Sequence, residues 1–175
     1  WELHHPIEQQ TYIFDRLMDA GQAFDIKPFG IRAMTSMAIE KSYRLIPREL
    51  SIEYTAWESA LDRFVRMDKG DFLGKAALAA AKQAGPRWTF VTMEVLGVTD
   101  CDARGNEAIH DAGGVLVGRA THGGFGWRTG KSLALAMVEP KHAAAGTRLS
   151  ITILGRKHEA VVIAVSRNWP CLSPR

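Results

Sequence analysis

The sequence predicts an α+β protein in which a helical and mixed segment is followed by a C-terminal antiparallel Greek-key β-barrel. Three observations predict it. Apolar residues recur at helical spacing through the first half, Gly85-Pro86 closes an Ala- and Lys-rich run, and beyond that pair the apolar period changes to two. The boundary between domains is therefore expected at the Gly-Pro pair, giving segments 1–85 and 86–175.

The first element follows His5-Pro6, where Pro suits a first turn. Ile7, Phe14, Leu17 and Met18 then share one helical face, and Gly21 offers a stop. Residues 6–20 read as an amphipathic helix. After a loop from Phe24 to Gly30, Ile31, Met34 and Ala38 again share a face, predicting a second helix from Ile31 to Tyr43 with Arg32, Ser36 and Glu40 turned off its apolar side. Pro47 argues against continuous helix in the stretch that follows, where Glu53 to Leu61 can form a short one. Phe64 to Met67 reads as a brief strand ended by the turn Asp68-Lys69-Gly70-Asp71. Leu73 to Ala84 is a strong helix former.

In the second half, Val91, Met93 and Val95 alternate with Phe90, Thr92 and Glu94. Leu149, Ile151 and Ile153 alternate with Arg148, Ser150 and Thr152, and Val161, Ile163 and Val165 follow a turn at Gly155 to His158. With the runs Val115 to Thr121 and Leu133 to Val138, this makes five or six strands. Closing them into a barrel leaves no exposed edge.

The chain has 175 residues, 46% of them hydrophobic, enough to bury a core without disulfide or metal support. No apolar run approaches the roughly 20 residues a bilayer requires, so no membrane partner is expected. Trp1 is followed at once by patterned sequence with no initiator Met or signal peptide, which suggests that the chain begins inside a longer protein. Cys101 and Cys171 lack paired spacing, which fits a reducing, cytoplasmic compartment. The pI is about 9.0, yet the net charge is only +3 and basic and acidic residues alternate, so a solvated mixed surface is expected.

Several constellations are set aside on chemical grounds. Gly130-Lys131-Ser132 resembles the end of a phosphate loop, but Phe125 stands where the first Gly is required and the following run is strand-like. His4, His5, His110, His122, His142 and His158 form no ligand-spaced pair and read as surface or loop residues, so no metal is expected. No Gly-x-Ser-x-Gly elbow is present. Glu49 and Glu53 read as solvated charges. Phe125 and Trp127 beside Arg119 and Arg128 have the composition of a base-stacking surface, but without a dense basic stripe no nucleic-acid partner is expected.

The specific functional signal is a resemblance. The run Phe29 to Arg44, FGIRAMTSMAIEKSYR, resembles the FG-x-RAM-x-S-x-RLEK-x-YR block of the glycine-cleavage T-protein superfamily, in the version found in dimethylglycine and sarcosine dehydrogenases. Further blocks follow in the family's order: Arg63-Phe64-Val65 through Asp68 to Leu78, Gly124-Phe125-Gly126 through Gly130 to Ala136, and Ile153-Leu154-Gly155. Trp1-Glu2-Leu3 resembles the tail of the preceding block. His122 and Trp127 depart from the pattern, standing where relatives often carry Ser and His.

The resemblance implies the C-terminal portion of a tetrahydrofolate-dependent aminomethyl or methyl transferase, with segment 1–85 belonging to the folate-binding body. Arg32 matches the arginine that contacts folate in that family. Its planar fork suits pterin acceptors or a carboxylate. The family's catalytic acid lies upstream of Trp1, so no catalytic residue is expected in this segment and the chain alone is expected to be inactive. The implied partners are folate, a small methylated amine and the upstream half of the parent protein. Two alternatives stay open: the T-protein-like module of a flavin-dependent dimethylglycine or sarcosine dehydrogenase, whose FAD would belong to a domain outside this chain, and a non-catalytic folate- or partner-binding module.

Overall fold

The computed structural model describes residues 2–98 and 100–164. By its internal contacts the chain divides into two compact units, Trp1–Ala33 and Met34–Arg175. Val165 and Cys171 lie outside the described residues.

In the first unit a 3-10 turn, Ile7–Gln9, leads into helix α1, Gln10–Gly21. Gly21 is required by close approach rather than by torsion. The chain turns back so that the Ile26 N–H donates to the Gly21 carbonyl at 3.2 Å, and a Cβ on Gly21 would stand 2.4 Å from Ile26 Cγ2. Asp25 takes the left-handed conformation after a second 3-10 turn, Gln22–Phe24.

Helix α2 runs Ile31–Glu40, three residues shorter than the apolar pattern predicts. Ser42, at φ 54°, stops it. The N–H of Tyr43 donates to Ala38 O and that of Ser42 to Ile39 O, both at 2.9 Å, which together make a Schellman cap. A Ser holds the strained position that Gly usually takes, and its buried hydroxyl is bound to Thr92 Oγ1 at 2.6 Å.

From Leu45 to Leu61 the chain forms successive turns, so the short helix expected over Glu53 to Leu61 is absent. Thr55 donates both its N–H and its hydroxyl to the Glu58 carboxylate, and Ala60 sits at φ 52°; both features divert the backbone from helix. Phe64 to Met67 is likewise no strand. Phe64 closes a 3-10 turn, Asp62–Phe64, and the extended residue after it finds no ladder partner. Helix α3, Lys75–Ala84, follows Gly74 and ends at Gly85, both at positive φ.

From Thr89 to Ile163 the described residues form a closed antiparallel barrel of six strands: β1 Thr89–Val95, β2 Ala108–His110, β3 Leu116–Gly126, β4 Lys131–Val138, β5 Arg148–Ile153 and β6 Arg156–Ile163. Their order around the barrel is β1-β4-β3-β2-β5-β6. The consecutive strands β2, β3 and β4, with β1 returning beside β4, form a Greek key. Between β5 and β6 the turn is only Leu154-Gly155, both at positive φ, so Arg156 to His158 belong to the strand and not to a longer loop.

Two apolar clusters divide the sheet's faces. Inside the barrel, Met93, Ile109, Val117, Val138 and Ile151 pack with Ala120, Ala134, Ala136 and Ala160. Small residues are needed because six strands enclose little volume. Outside, Phe90, Leu133, Leu135 and Met137 pack with Ile39 of α2 and with Tyr54, Ala60 and Trp88. Strand β4 is therefore buried on both faces, which explains why Leu133 to Val138 reads as a continuous apolar run.

Candidate functional site

Arg32 lies in the first turn of α2 and is exposed. Among the described residues its guanidinium has no hydrogen-bond or ion-pair partner, so all five N–H donors face solvent. Phe29 and Ile31 beside it in sequence are also exposed.

The inward face of α2 differs from the one the apolar spacing suggests. Ser36 and Ile39 are buried, whereas Ile31, Met34 and Met37 are 69%, 45% and 50% exposed. The physical reason is polar. Ser36 Oγ donates to Phe125 O at 2.7 Å, and Glu40 Oε1 accepts the N–H groups of Arg128 at 2.8 Å and Thr129 at 2.9 Å. These bonds turn the Ser36 and Glu40 side of the helix to the β3–β4 hairpin and leave larger apolar side chains uncovered.

Two of the sequence blocks thus meet in space, the one at Phe29 to Arg44 and the one that begins Gly124-Phe125-Gly126. The glycines follow from that meeting. A Cβ on Gly126 would lie 2.4 Å from Thr129 Oγ1 and 2.8 Å from Glu40 Oε1, and one on Gly124 would lie 3.3 Å from Ile39 Cδ1. At the hairpin tip, Phe125 and Trp127 make an edge-on pair with centroids 5.0 Å apart. Arg44, in the same block, stacks its guanidinium 4.2 Å from the Phe90 ring centroid and donates to Ser59 O.

Three titratable residues are wholly or partly buried, and two of them, Glu49 and His122, depart from the solvated surroundings expected of them. Glu49 is fully buried rather than solvated, its carboxylate accepting the Leu45 N–H at 2.9 Å and the Thr121 hydroxyl. Glu58 is buried too. Burial pushes its pKa up, but bonds from the Thr55 N–H and hydroxyl and from the Trp88 and Arg87 N–H groups outweigh this and hold it below the ordinary carboxylate value. His122 lies within β3, half-buried, with both ring nitrogens shielded and unbonded. Burial and the Arg48 charge push its pKa down against the opposing pull of Glu49 and Asp102. Sequence spacing cannot find such groups, because each carboxylate joins a local N–H, from Leu45 or Thr55, to donors far along the chain: the Thr121 hydroxyl for Glu49 and the Arg87 and Trp88 N–H groups for Glu58.

Known proteins match the chain along almost its whole length. The family model described as GCVT N-terminal domain matches residues 1–69, and that of the glycine cleavage T-protein C-terminal barrel domain matches residues 89–166. Mitochondrial dimethylglycine dehydrogenase of Homo sapiens is 35% identical over 93% of this chain, which spans 19% of that protein. The aminomethyltransferase of Caldanaerobacter subterraneus is 29% identical over 93% of the chain, which spans 43% of it. The crystal structure of the glycine cleavage system aminomethyltransferase T of Bartonella henselae superposes with a TM-score of 0.79 at 23% identity. It covers 91% of this chain, which corresponds to 44% of that structure, and so supports the fold. The chain is a T-protein-like module that belongs to the glycine cleavage T-protein family.

Proposed function

We propose that the chain is the C-terminal portion of a tetrahydrofolate-dependent transferase, one that passes a one-carbon unit from an aminomethyl or methylated amine to folate. The observation that carries the reading is the match of both T-protein family models, in order, along this one chain. Two features support it. Arg32 offers an uncommitted guanidinium fork, suited to a pterin or carboxylate acceptor, and α2 leaves Met34 and Met37 exposed for the rest of a larger protein to cover.

In this reading the chain binds and frames rather than catalyses. Arg32 orients the folate, the barrel supports α2 through Ser36 and Glu40, and the acid that meets the reacting amine comes from the parent's upstream half. A second reading has a specific observation in its favour. Identity is higher to the dimethylglycine dehydrogenases than to the aminomethyltransferases, 33–35% against 28–30%. The module would then sit beside a flavin domain that oxidises the methylated amine, with folate capturing the product. One-carbon transfer to tetrahydrofolate, assayed with the 175-residue chain and with the parent protein, tests the proposal. Transfer by the parent alone is expected, and transfer by neither contradicts it.

A further inference from the structure

A cavity of about 600 Å³ opens between the 47–54 loop, the 104–106 loop and strand β3, away from every residue assigned above to folate. Arg48, Arg104 and Arg119 line it, with Tyr54 and Asn106 between them. Glu53 is the only carboxylate among its lining residues.

The walls are fixed in place. Arg48 Nη1 donates to Arg104 O at 2.7 Å and to Thr121 O at 2.6 Å, stapling the 104–106 loop to β3. Gly105 permits this at φ 121°, since a Cβ there would stand 2.9 Å from Thr121 O and 3.4 Å from Arg48 Nη1. The Glu107 carboxylate takes the N–H groups of Arg104 at 2.7 Å and Gly105 at 2.8 Å. Arg119 Nε donates to Tyr54 Oη at 2.9 Å, and its Nη2 bridges Tyr54 and Glu53.

The lining side chains carry three guanidinium groups and one carboxylate, Glu53, which is paired with Arg119. Of the carboxylates near it, Glu49 is committed to Leu45 N–H and the Thr121 hydroxyl, and Glu107 to backbone N–H groups. Among the described residues the Arg104 guanidinium has no partner. The Nη2 group of Arg48 and the Nη1 group of Arg119 also have donors to spare. Three guanidinium groups lining one cleft repel each other, and a concave surface concentrates their field. An anion relieves that repulsion. Guanidinium forks held by three separate segments suit an anion with separated planar groups better than a compact one.

We propose that this cleft binds a small polycarboxylate, one carboxylate on Arg104 and Arg48 and a second on Arg119. The inference does not rest on the folate reading, because none of these residues is assigned to folate or to the transfer.

Calorimetric titration of the parent protein with citrate at low ionic strength tests it, with pyrophosphate as the compact comparison. Citrate should bind, and Arg104→Gln should weaken it by about tenfold, as expected for loss of charge-assisted hydrogen bonds. Because Arg104 has an exposed side chain without partners, that variant keeps the fold; Lys157→Gln, an exposed lysine on β6, should leave citrate binding unchanged. Absence of citrate binding overturns the proposal. So does equal binding by Arg104→Gln, and tighter binding of pyrophosphate than of citrate overturns the carboxylate assignment.

Discussion

The Glu40 carboxylate, at the last residue of α2, receives the backbone N–H of Thr129 at 2.9 Å across 89 positions of sequence. With the Arg128 N–H on the same oxygen, it caps a hairpin turn whose donors would otherwise point at a helix end. Removing the carboxylate strands those donors. Glu40→Ala should therefore destabilise the protein by about 1–3 kcal/mol, and Glu40→Gln by less, because its amide oxygen still accepts. Urea midpoints of the three proteins measure this, and a Glu40→Ala midpoint equal to the parent's contradicts the clamp.

Gly126 is the steric counterpart of that clamp. Gly126→Ala would press a methyl against Thr129 Oγ1 and Glu40 Oε1, and a loss of about 1–3 kcal/mol is expected. Gly70→Ala, with no atom within 4 Å of the added Cβ and no positive φ, should change stability little. Thermal melts of the two variants side by side read the difference.

Glu58 joins the 55–59 turns to the start of β1 through the N–H groups of Arg87 and Trp88, both at 3.1 Å. Its folded pKa lies below the unfolded value of about 4.5. The unfolded state therefore takes up a proton first as pH falls. The stability Glu58 contributes is fully present above about 4.5 and is lost as pH falls through the lower folded value. Glu58→Gln should be less stable at neutral pH and show a shallower acid slope, measured as urea midpoint against pH.

His122 works in a higher window. Its folded pKa is depressed below the ordinary 6.5 by burial and by Arg48, against Glu49 and Asp102. The neutral ring's contribution is thus complete above about 6.5 and declines as pH falls below it toward the depressed value. His122→Gln should remove that part of the pH dependence. An unchanged slope between neutral and mildly acidic pH contradicts it.

How much of this was legible in sequence depends on what each element answers to. The period of two located β1, β5 and β6, because alternation reports directly on a sheet with an inside and an outside, and apolar runs located β3 and β4. Strand β2, only Ala108–His110, is too short to show a period, and β3 runs on through Gly123, Gly124 and Gly126 because the neighbours Ala103, Ile39 and Glu40 leave no room for side chains. The end of α2 is set by Ser42, a non-glycine residue in the left-handed conformation whose hydroxyl is bound to Thr92, a partner 50 residues away. Helical spacing also named the wrong inward face of α2, since hydrogen bonds from Ser36 and to Glu40 decide it. Arg32 was found by resemblance, and its surroundings in sequence would not have singled it out. The Arg48, Arg104 and Arg119 cleft left no linear signal, because three separate segments build it.

On the proposed function, this module belongs to a folate-binding transferase in which Arg32 holds the folate. The most direct measurement is calorimetric titration of tetrahydrofolate into the parent protein and into its Arg32→Ala variant. Binding by the parent, weakened about tenfold in the variant at an unchanged melting temperature, is the predicted result. No binding by the parent, or equal binding by the two proteins, would contradict it.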